Sequence, residues 1–348
     1  MENKPSLLLP SSTSIRKLPV NLKQADIKLF EQEIRKDIPE TTLNYIYNVK
    51  ISPEGILSKS NIVLSESFVS LEQYKQWAKR SIKARLKYFI KNELFKNCQP
   101  INQDVFWITD DWSHAYFHWF TDALPRLLAI HHIVNDSTLL LPKKYRYYDY
   151  INTSLLPFRI QDIRYIDNPI ICKNLKTPTH TAPTGNYNEV LIKRLRELYT
   201  SFYSELIDRE DYTKIYISRS KAQKRKIINE QEVIEIVKKY GFKVICFEEY
   251  SFEDQIKMAL RAKFMISNHG GGLTNLLFMS SGGAVLELRK YGDSNNNCFF
   301  TLASALDINY FYQLCETDQN DINNTSDLKI DCQLLSSNII DMLNFAGN

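Results

Sequence analysis

The chain has 348 residues, of which 44% are hydrophobic and 24% charged, and its formal net charge is +4. This length predicts two domains, each large enough to bury its own core. The composition excludes a disordered or fibrous protein. Lysines and arginines are scattered rather than gathered into a basic stripe, which argues against a nucleic-acid binder. A phosphorylated small molecule or an anionic membrane surface stays open as a partner.

The first twenty residues contain one short apolar run at 7–9, which Pro10 interrupts. We therefore expect neither a signal peptide nor a membrane span, and a cytoplasmic location. Peripheral attachment to the inner face of the cell membrane is compatible with this expectation. The six cysteines form no C-x-x-C pair. This spacing predicts reduced thiols rather than a zinc ribbon or a disulfide framework.

Hydrophobic periodicity gives a mixed pattern in the first half, with a short strand at 61–64 and amphipathic helices within 71–95. A loop with prolines and a glycine at 173–188 leads into a predicted helix at 189–207. A tail helix is expected near 334–345.

The second half shows a clearer alternation of strands and helices. Apolar strands are predicted at 214–218, 243–247, 264–267 and 284–288. Helices are predicted at 229–240, 252–261 and 273–279. This alternation predicts parallel βαβ units in a doubly wound sheet. The strands are almost continuously apolar because helices would cover both faces of such a sheet.

The segment Asn268-His269-Gly270-Gly271-Gly272 follows one of these strands and opens a helix. Ligands of open α/β sheets bind beyond the carboxyl ends of the strands. Glycines allow a close backbone approach and positive φ angles, and a helix N terminus attracts anions. We therefore predict a phosphate or diphosphate site here, with a purely structural turn as the alternative. The chain has no P-loop, no dinucleotide signature and no G-x-S-x-G nucleophile elbow.

A second group of polar residues lies in the first half. His114, His118, Asp122 and Arg126 are spaced by four, so on one helix they would share a face. Their neighbours are largely apolar, which predicts a mostly buried helix whose polar stripe lines a cleft. Pro125 would kink this helix or start a new one. The spacing of the two histidines would also suit zinc, but no third ligand is evident nearby, so no metal is expected.

Several motifs occur in an order that resembles one family. They are Tyr216-Ile217-Ser218-Arg219-Ser220, Arg225 with Asn229-Glu230, Ser251-Phe252 with Gln255, His269-Gly270-Gly271-Gly272-Leu273-Thr274-Asn275, and Val285-Leu286-Glu287-Leu288. The run from Tyr116 to Leu127 resembles the motif of the family's N-terminal half. Together, over about 110–288, the chain resembles the glycosyltransferase 61 family. A common variant of that family has alanine at the second glycine of the turn.

The resemblance implies an α/β fold of the GT-B type, with two Rossmann-like domains facing a central cleft. We expect an acceptor-side domain at 1–190, a nucleotide-sugar domain at 191–325, and a tail helix at 326–348 that packs back on the N-terminal domain. The resemblance also implies inversion at the anomeric carbon, no obligatory metal and no cofactor. Without a leader or anchor, the chain looks like the bacterial branch, whose products are capsule or surface polysaccharides.

Inverting transfer requires a base within reach of the acceptor hydroxyl, for which Asp122 is the first candidate and His118 the second. Arg219 and Arg225 are expected to pair with the diphosphate. His269 is expected to donate to a phosphate or to the donor sugar. The remaining predicted substrate contacts are Glu287, which could accept from ribose hydroxyls, and His114, Arg126, Asn268, Gly270, Gly271, Gly272, Leu273, Thr274 and Asn275.

The sequence thus predicts an inverting glycosyltransferase that moves a sugar from a nucleotide-diphosphate donor, expected to be a UDP-sugar, to an oligosaccharide or lipid-linked glycan. Two rivals stay open. A nucleotide-sugar epimerase would consume the donor without an acceptor, and a non-catalytic sugar-binding subunit of a polysaccharide assembly complex would bind the donor weakly or not at all. The sequence leaves the donor sugar, the acceptor, the linkage and the formation of a homo-oligomer open.

Overall fold

The computed structural model describes residues 4–81, 98–134, 137–204, 213–318 and 326–347. Two compact units make up the chain: Met1–Ser12 with Ile38–Thr184, and Thr13–Asp37 with Gly185–Asn348. The change of unit after Thr184 lies close to the expected boundary at 190/191. The segment Thr13–Asp37, however, belongs to the second unit, although the sequence placed it in the N-terminal domain. The parts of the predicted helices at 82–95 and 205–207 lie outside the described residues.

The described strands, numbered in chain order, are β1 (Ser6–Leu9), β2 (Ser12–Ile15), β3 (Arg35–Ile38), β4 (Thr41–Ile51), β5 (Leu57–Lys59), β6 (Ile62–Val63), β7 (Gln99–Ile101), β8 (Val105–Phe106), β9 (Thr138–Pro142), β10 (Ile163–Ile166), β11 (Ile170–Pro178), β12 (Lys214–Ile217), β13 (Lys243–Ile245), β14 (Phe264–Asn268), β15 (Ala284–Lys290), β16 (Asn309–Thr317) and β17 (Leu328–Lys329).

The described α-helices are Ile27–Ile34, Leu71–Ala78, Tyr116–His118, Leu124–Ile130, Asp149–Ser154, Glu189–Tyr203, Glu230–Lys239, Phe252–Arg261, Cys298–Ala305 and Cys332–Gly347. A π-helical turn occupies Trp119–Ala123. Short 3-10 helices lie at Gln24–Asp26, Ser65–Ser67, His131–Ile133, Lys143–Tyr147, Leu156–Phe158, Phe247–Glu249 and Gly271–Phe278.

The first unit is built on a mixed sheet with the order β10-β9-β8-β11-β4-β5-β6, to which β1 and β7 add at β4 and β11. The pairs among β7 to β11 are parallel. By contrast, β4 runs antiparallel to β11, β1 and β5, and β6 runs antiparallel to β5. One half of the sheet is therefore a meander, and this unit departs from the purely Rossmann-like domain that the resemblance implied.

The second unit contains the doubly wound sheet that the sequence predicts. Its strands follow the order β13-β12-β14-β15-β16-β17, and every neighbouring pair from β13 to β16 is parallel. On one face, Val233 and Val237 of the Glu230–Lys239 helix pack against Tyr216, Ile266 and Leu286. Helices therefore cover strands that are almost continuously apolar, as expected for a parallel sheet.

The tail helix, Cys332–Gly347, packs on β15, β16 and the Glu230–Lys239 helix. Its apolar residues Leu335, Ile339 and Met342 are buried in the same core as the strands of the second unit. The helix was expected to pack back on the N-terminal domain. Its apolar stripe is instead used within the second unit, where it closes one face of the sheet.

The segment Thr13–Asp37 joins the second unit through an aromatic cluster. The ring of Phe30 contacts Phe300 and Tyr312 at centroid distances of 5.1 Å each, and Tyr310 at 6.2 Å. The backbone N–H of Val20 donates to the Tyr310 carbonyl over 2.8 Å. Phe30 is completely buried, so this early segment supplies part of the core of the later unit.

Among the described residues, no helix combines the length and the apolar character that a bilayer crossing requires. All six cysteines are free thiols.

Candidate functional site

The glycine-rich turn lies at the carboxyl end of β14, in the middle of the parallel sheet. His269 extends the sheet, because its backbone N–H donates to the Leu288 carbonyl over 3.0 Å. The segment after the turn, Gly271–Phe278, is helical as predicted, and the helix is of the 3-10 type. None of the three glycines of the turn has a left-handed φ angle, so positive φ is not what requires glycine here.

Close approach of the Arg219 side chain distinguishes position 270 from its neighbour. A Cβ atom on Gly270 would lie 2.3 Å from Arg219 Nη1, whereas a Cβ on Gly271 would have nothing within 4 Å. Arg219 lies across the turn and donates from Nε to the Arg225 carbonyl (3.3 Å) and from Nη2 to the Lys224 carbonyl (3.2 Å). Arg219 therefore holds the loop at 219–225 together and packs it against the glycine turn.

Two guanidinium groups lie close to each other at this turn. Burial, and then the charge of Arg225, lowers the pKa of Arg219. Burial also lowers the pKa of Arg225, against the raising effect of Cys298, Glu287 and other nearby groups. Arg225 has a left-handed backbone with φ of 56°, a conformation that is uncommon for a residue other than glycine. Two adjacent positive charges at a sheet's carboxyl edge favour an anionic ligand.

Three polar atoms around the turn are buried without a hydrogen-bond partner within the described residues. They are Arg225 Nε, Asn268 Oδ1 and Thr274 Oγ1. A buried polar group that stays unpaired costs about 1–3 kcal/mol. The other end of the Asn268 side chain donates to the Arg225 carbonyl. Unpaired donor and acceptor atoms thus lie on Arg225 and on its neighbour Asn268, as expected where a ligand supplies the missing partners.

Glu287 is completely buried and holds His269. Its Oε1 accepts from His269 Nδ1 over 2.6 Å, and its Oε2 accepts from the Tyr310 hydroxyl over 2.5 Å. Burial raises the pKa of Glu287, but the hydrogen bond and charge of His269, together with Arg289 and Tyr310, outweigh it and leave that pKa lowered. Both carboxylate oxygens are engaged inside the protein, so Glu287 serves His269 instead of the ribose hydroxyls predicted for it.

Two further residues that were predicted to contact the substrate make contacts within the protein instead. Leu273 is completely buried in the core. The Asn275 side chain donates from Nδ2 to the Gly272 carbonyl over 3.1 Å. These residues therefore shape the 3-10 helix behind the turn, whereas the sequence assigned them to the substrate.

In the first unit, His118 and Asp122 meet as the spacing predicts. His118 Nδ1 lies 2.7 Å from Asp122 Oδ2, which also accepts from the Thr184 hydroxyl over 2.9 Å. The side chain of Asp122 is 3% exposed and that of His118 is 17% exposed. The ring of His118 lies against Trp112 at a centroid distance of 4.9 Å. His118 is therefore the outer member of the pair and Asp122 the inner one.

A π-helical turn carries this pair. The N–H of Leu124 bonds to the Trp119 carbonyl, five residues back. The α-helix Leu124–Ile130 follows without a break and has Pro125 in its first turn, which is the second of the two alternatives given for Pro125. Proline has no N–H to give to the preceding turn, and π-helical turns occur frequently at functional sites.

The predicted four-residue stripe is nevertheless incomplete. His114 precedes the helix, which starts at Tyr116, and its Nδ1 lies 3.0 Å from the Asp111 carbonyl. Arg126 is buried and donates to the Pro178 carbonyl from Nε (3.1 Å) and Nη2 (2.8 Å). Arg126 therefore anchors the end of β11 and does not face a substrate as predicted.

Sequence reasoning missed a second histidine–carboxylate pair. His180 Nε2 donates to Asp110 Oδ2 over 2.8 Å. Burial raises the pKa of Asp110, but the hydrogen bond and charge of His180, the charge of Arg126 and a bond with Ser113 bring that pKa down to about 2. The available signal was position, because His180 directly follows β11, which is parallel to β8, the strand that precedes Asp110.

Residues 116–286 match the family model described as Glycosyltransferase 61. Over this stretch the chain is similar to the glycosyltransferase 61 family. The matched stretch starts at the helix that carries His118 and includes the glycine turn with Arg219 and Arg225. Glu287 and Tyr310 follow its last matched residue.

The chain is also similar to parts of animal transferases. Over 98 residues the chain is 31% identical to EGF domain-specific O-linked N-acetylglucosamine transferase of Drosophila melanogaster, which covers 27% of this chain and 18% of that protein. Its Bos taurus counterpart is 29% identical over 140 residues, or 36% of this chain and 26% of that protein. Protein O-linked-mannose beta-1,4-N-acetylglucosaminyltransferase 2 of Mus musculus is 31% identical over 85 residues, or 24% and 14%.

The chain thus spans between 14% and 26% of the length of these relatives. The family match and the similarity to N-acetylglucosaminyltransferases support glycosyltransferase activity for this chain. The relatives are animal enzymes, and nothing in them indicates the bacterial capsule branch implied by the resemblance.

Proposed function

We propose that the chain is an inverting glycosyltransferase that moves a sugar from a nucleoside diphosphate donor to a hydroxyl group of a glycan. The observation that carries the proposal is the placement of Arg219 across Gly270, next to Arg225 and to buried polar atoms that have no partner. N-acetylglucosamine is the first sugar to test, because the named relatives transfer it, and UDP is the first nucleotide.

The donor-side residues fit the charge that develops during transfer. When the bond between the anomeric carbon and the phosphate oxygen breaks, negative charge accumulates on the departing diphosphate. Arg219 and Arg225 supply positive charge at that position, and groups that are already in place stabilise a developing charge most effectively. The amides of Gly271 and Gly272 add donors, since the first hydrogen bond of the following helix runs from the Leu273 N–H to the Gly270 carbonyl.

On the acceptor side, we assign the base to His118 and the orienting role to Asp122. Asp122 is nearly buried, and its Oδ2 already accepts from two side chains. His118 makes these contacts through Nδ1, so Nε2 is the ring nitrogen left for an acceptor hydroxyl. The hydroxyl proton passes to Nε2 while the oxygen attacks the anomeric carbon, and a carboxylate on Nδ1 stabilises the imidazolium that forms. This reverses the order of preference given by the sequence.

The GT-B fold implied by the resemblance remains a proposal. Its support is that each unit, taken by itself, contains neighbouring parallel strands, among them β8 and β11 in the first unit and β12 and β14 in the second. A capsule or surface polysaccharide as the product, and a cytoplasmic location, remain predictions. Loss of one sugar from the surface polysaccharide after gene disruption, and fractionation of the cells, would test them.

Donor binding is tested by thermal shift with nucleoside diphosphates and the corresponding nucleotide sugars. A ligand of the folded state raises the melting temperature by mass action. Arg219→Ala should remove the rise, whereas Arg194→Ala, a change at an exposed arginine of the second unit, should leave it unchanged. An equal rise in both variants would contradict the phosphate site.

The reaction is tested by product analysis with UDP-N-acetylglucosamine as the donor and a set of glycan acceptors. His118→Ala should lower turnover by about 10²- to 10⁴-fold, the usual contribution of a general base, and His132→Ala, at an exposed histidine, should not. Donor isomerisation without an acceptor would favour the epimerase. Absence of both binding and turnover would favour a non-catalytic subunit.

A further inference from the structure

A network of polar side chains lies behind His269, deeper in the second unit. Arg289 Nη1 donates to the Tyr310 hydroxyl over 3.2 Å, and Tyr310 in turn donates to Glu287. The Arg289 guanidinium lies 5.1 Å from the centroid of the Phe30 ring, and its Nη2 donates to the Asp293 carbonyl over 2.7 Å. Every member of the network is therefore held by at least one other group.

We infer that Glu287, Tyr310 and Arg289 are positioning residues that orient His269 so that its Nε2 contacts the diphosphate of the donor. The inference rests on the proposed function, because it places His269 in the donor site. It goes beyond that function by naming the residues through which the orientation of the imidazole is controlled.

The contact with Glu287 identifies which ring nitrogen of His269 carries the proton. An ionised carboxylate can only accept hydrogen bonds, and the lowered pKa keeps Glu287 ionised. His269 Nδ1 must therefore be the donor in the 2.6 Å contact. Nε2 is left as the ring nitrogen that can meet a ligand.

The contacts around the Glu287 carboxylate hold it rigidly. Glu287 is completely buried, and the Tyr310 hydroxyl holds its second oxygen. Arg289 keeps that hydroxyl in place, and burial together with Glu287 raises the pKa of Tyr310 well above its usual range, so the hydroxyl stays a donor. The ring of His269 also packs against Phe299 at a centroid distance of 5.0 Å. The imidazole is thus fixed from two sides.

The network behind His269 is connected with the predicted phosphate site. His269 directly precedes Gly270, over which Arg219 lies. The charge of Glu287 also acts on Arg225, whose pKa it raises against the effect of burial. The carboxylate therefore influences two groups of the donor site, one by a hydrogen bond and one through space.

The test is a double-mutant cycle in the full chain with donor and acceptor. Glu287→Gln keeps the shape of the side chain and removes its charge. It should lower kcat by about 10- to 100-fold, the range known for loss of the partner that orients a metal-bound histidine, while the acceptor KM stays within about two-fold. In a His269→Ala background the same change should have little further effect, because residues that act through one another are not additive.

A matched pair in β16 separates positioning from folding. Tyr310→Phe should lower kcat, whereas Tyr312→Phe, which removes a hydroxyl bonded to Asp26 (2.6 Å), should leave kcat unchanged even where it lowers the melting temperature. Additive losses from Glu287→Gln and His269→Ala, or equal effects of the two tyrosine changes, would overturn the inference while the transferase proposal stands. A wild-type chain that neither binds nor turns over any donor would overturn both.

Discussion

Gly270 and Gly271 are neighbours of the same type with different surroundings. Gly270 has the Arg219 guanidinium where a Cβ would lie, at 2.3 Å, whereas Gly271 has open space. The alanine that is common at the second glycine in the family fits this difference, because a methyl group there meets nothing.

Gly270→Ala should therefore displace Arg219 and weaken donor binding by about 10- to 100-fold, the equivalent of one charge-assisted hydrogen bond. Gly271→Ala is the matched control and should bind the donor as wild type does. Isothermal titration with the nucleoside diphosphate measures both. Equal affinities would show that Arg219 does not need the space over Gly270.

Asp110 gives a prediction for the pH dependence of stability. Its pKa is lowered from 3.8 to about 2 in the folded chain, so its contribution is present above pH 3.8 and is lost as the pH falls toward 2. Wild type should lose about 1 kcal/mol more unfolding free energy between pH 5 and pH 3 than Asp110→Asn does. Denaturant titration at the two pH values measures this, and identical losses would remove Asp110 as a source of acid sensitivity.

Contacts between single residues differ in whether sequence spacing predicts them. The His118–Asp122 pair follows from spacing, since residues four apart on a helix are neighbours. The partner of His269 could not be found in this way. Glu287 reaches it because β15 lies beside β14, a contact set by sheet order and not by sequence distance. His180 and Thr184 lie in the loop at 173–188, for which the sequence indicated only the approach to a domain boundary.

At the scale of elements, the tail helix has a buried and an exposed isoleucine side by side, so that one can serve as the control for the other. Ile339 is completely buried, whereas its neighbour Ile340 is 45% exposed. Ile339→Ala should lower the unfolding free energy by about 2–5 kcal/mol, because it opens a cavity in the core. Ile340→Ala should change it by less than about 0.5 kcal/mol. Chemical denaturation measures both, and equal effects would mean that the helix does not use this face.

Hydrophobic periodicity predicted the tail helix but not the surface on which it packs. Apolar spacing predicted a helix near 334–345, and the structure contains Cys332–Gly347. Periodicity does not say which surface will cover an apolar stripe. The same holds for the glycine turn, where strand, turn and helix were predicted in the right order. The hydrogen-bond pattern of the 3-10 helix depends on packing that a single sequence does not display.

At the scale of the molecule, the second unit is built from two distant parts of the chain. Phe30→Ala should therefore destabilise the second unit by about 3–5 kcal/mol. Hydrogen exchange followed by mass spectrometry should show faster exchange in Cys298–Ala305 and β16, with the strands β8 to β11 of the first unit less affected. Faster exchange confined to the first unit would contradict the assignment of Thr13–Asp37.

The alternation of strands and helices was enough to predict the doubly wound sheet of the second unit. It was not enough to predict the mixed sheet of the first unit, where β4 joins parallel and antiparallel halves. Alternating patterns report which face of an element is covered, whereas strand order depends on which segments meet in space.

The return of Thr13–Asp37 to the second unit also has a consequence for synthesis on the ribosome. Phe30 is made early, but its partners Phe300, Tyr310 and Tyr312 follow only after the whole first unit has been translated. At rates of ~5–20 residues per second, the early segment waits on the order of tens of seconds for its partners. During this interval a buried aromatic residue of the finished protein is exposed, and a nascent chain stalled before Phe300 should bind chaperones that recognise apolar segments.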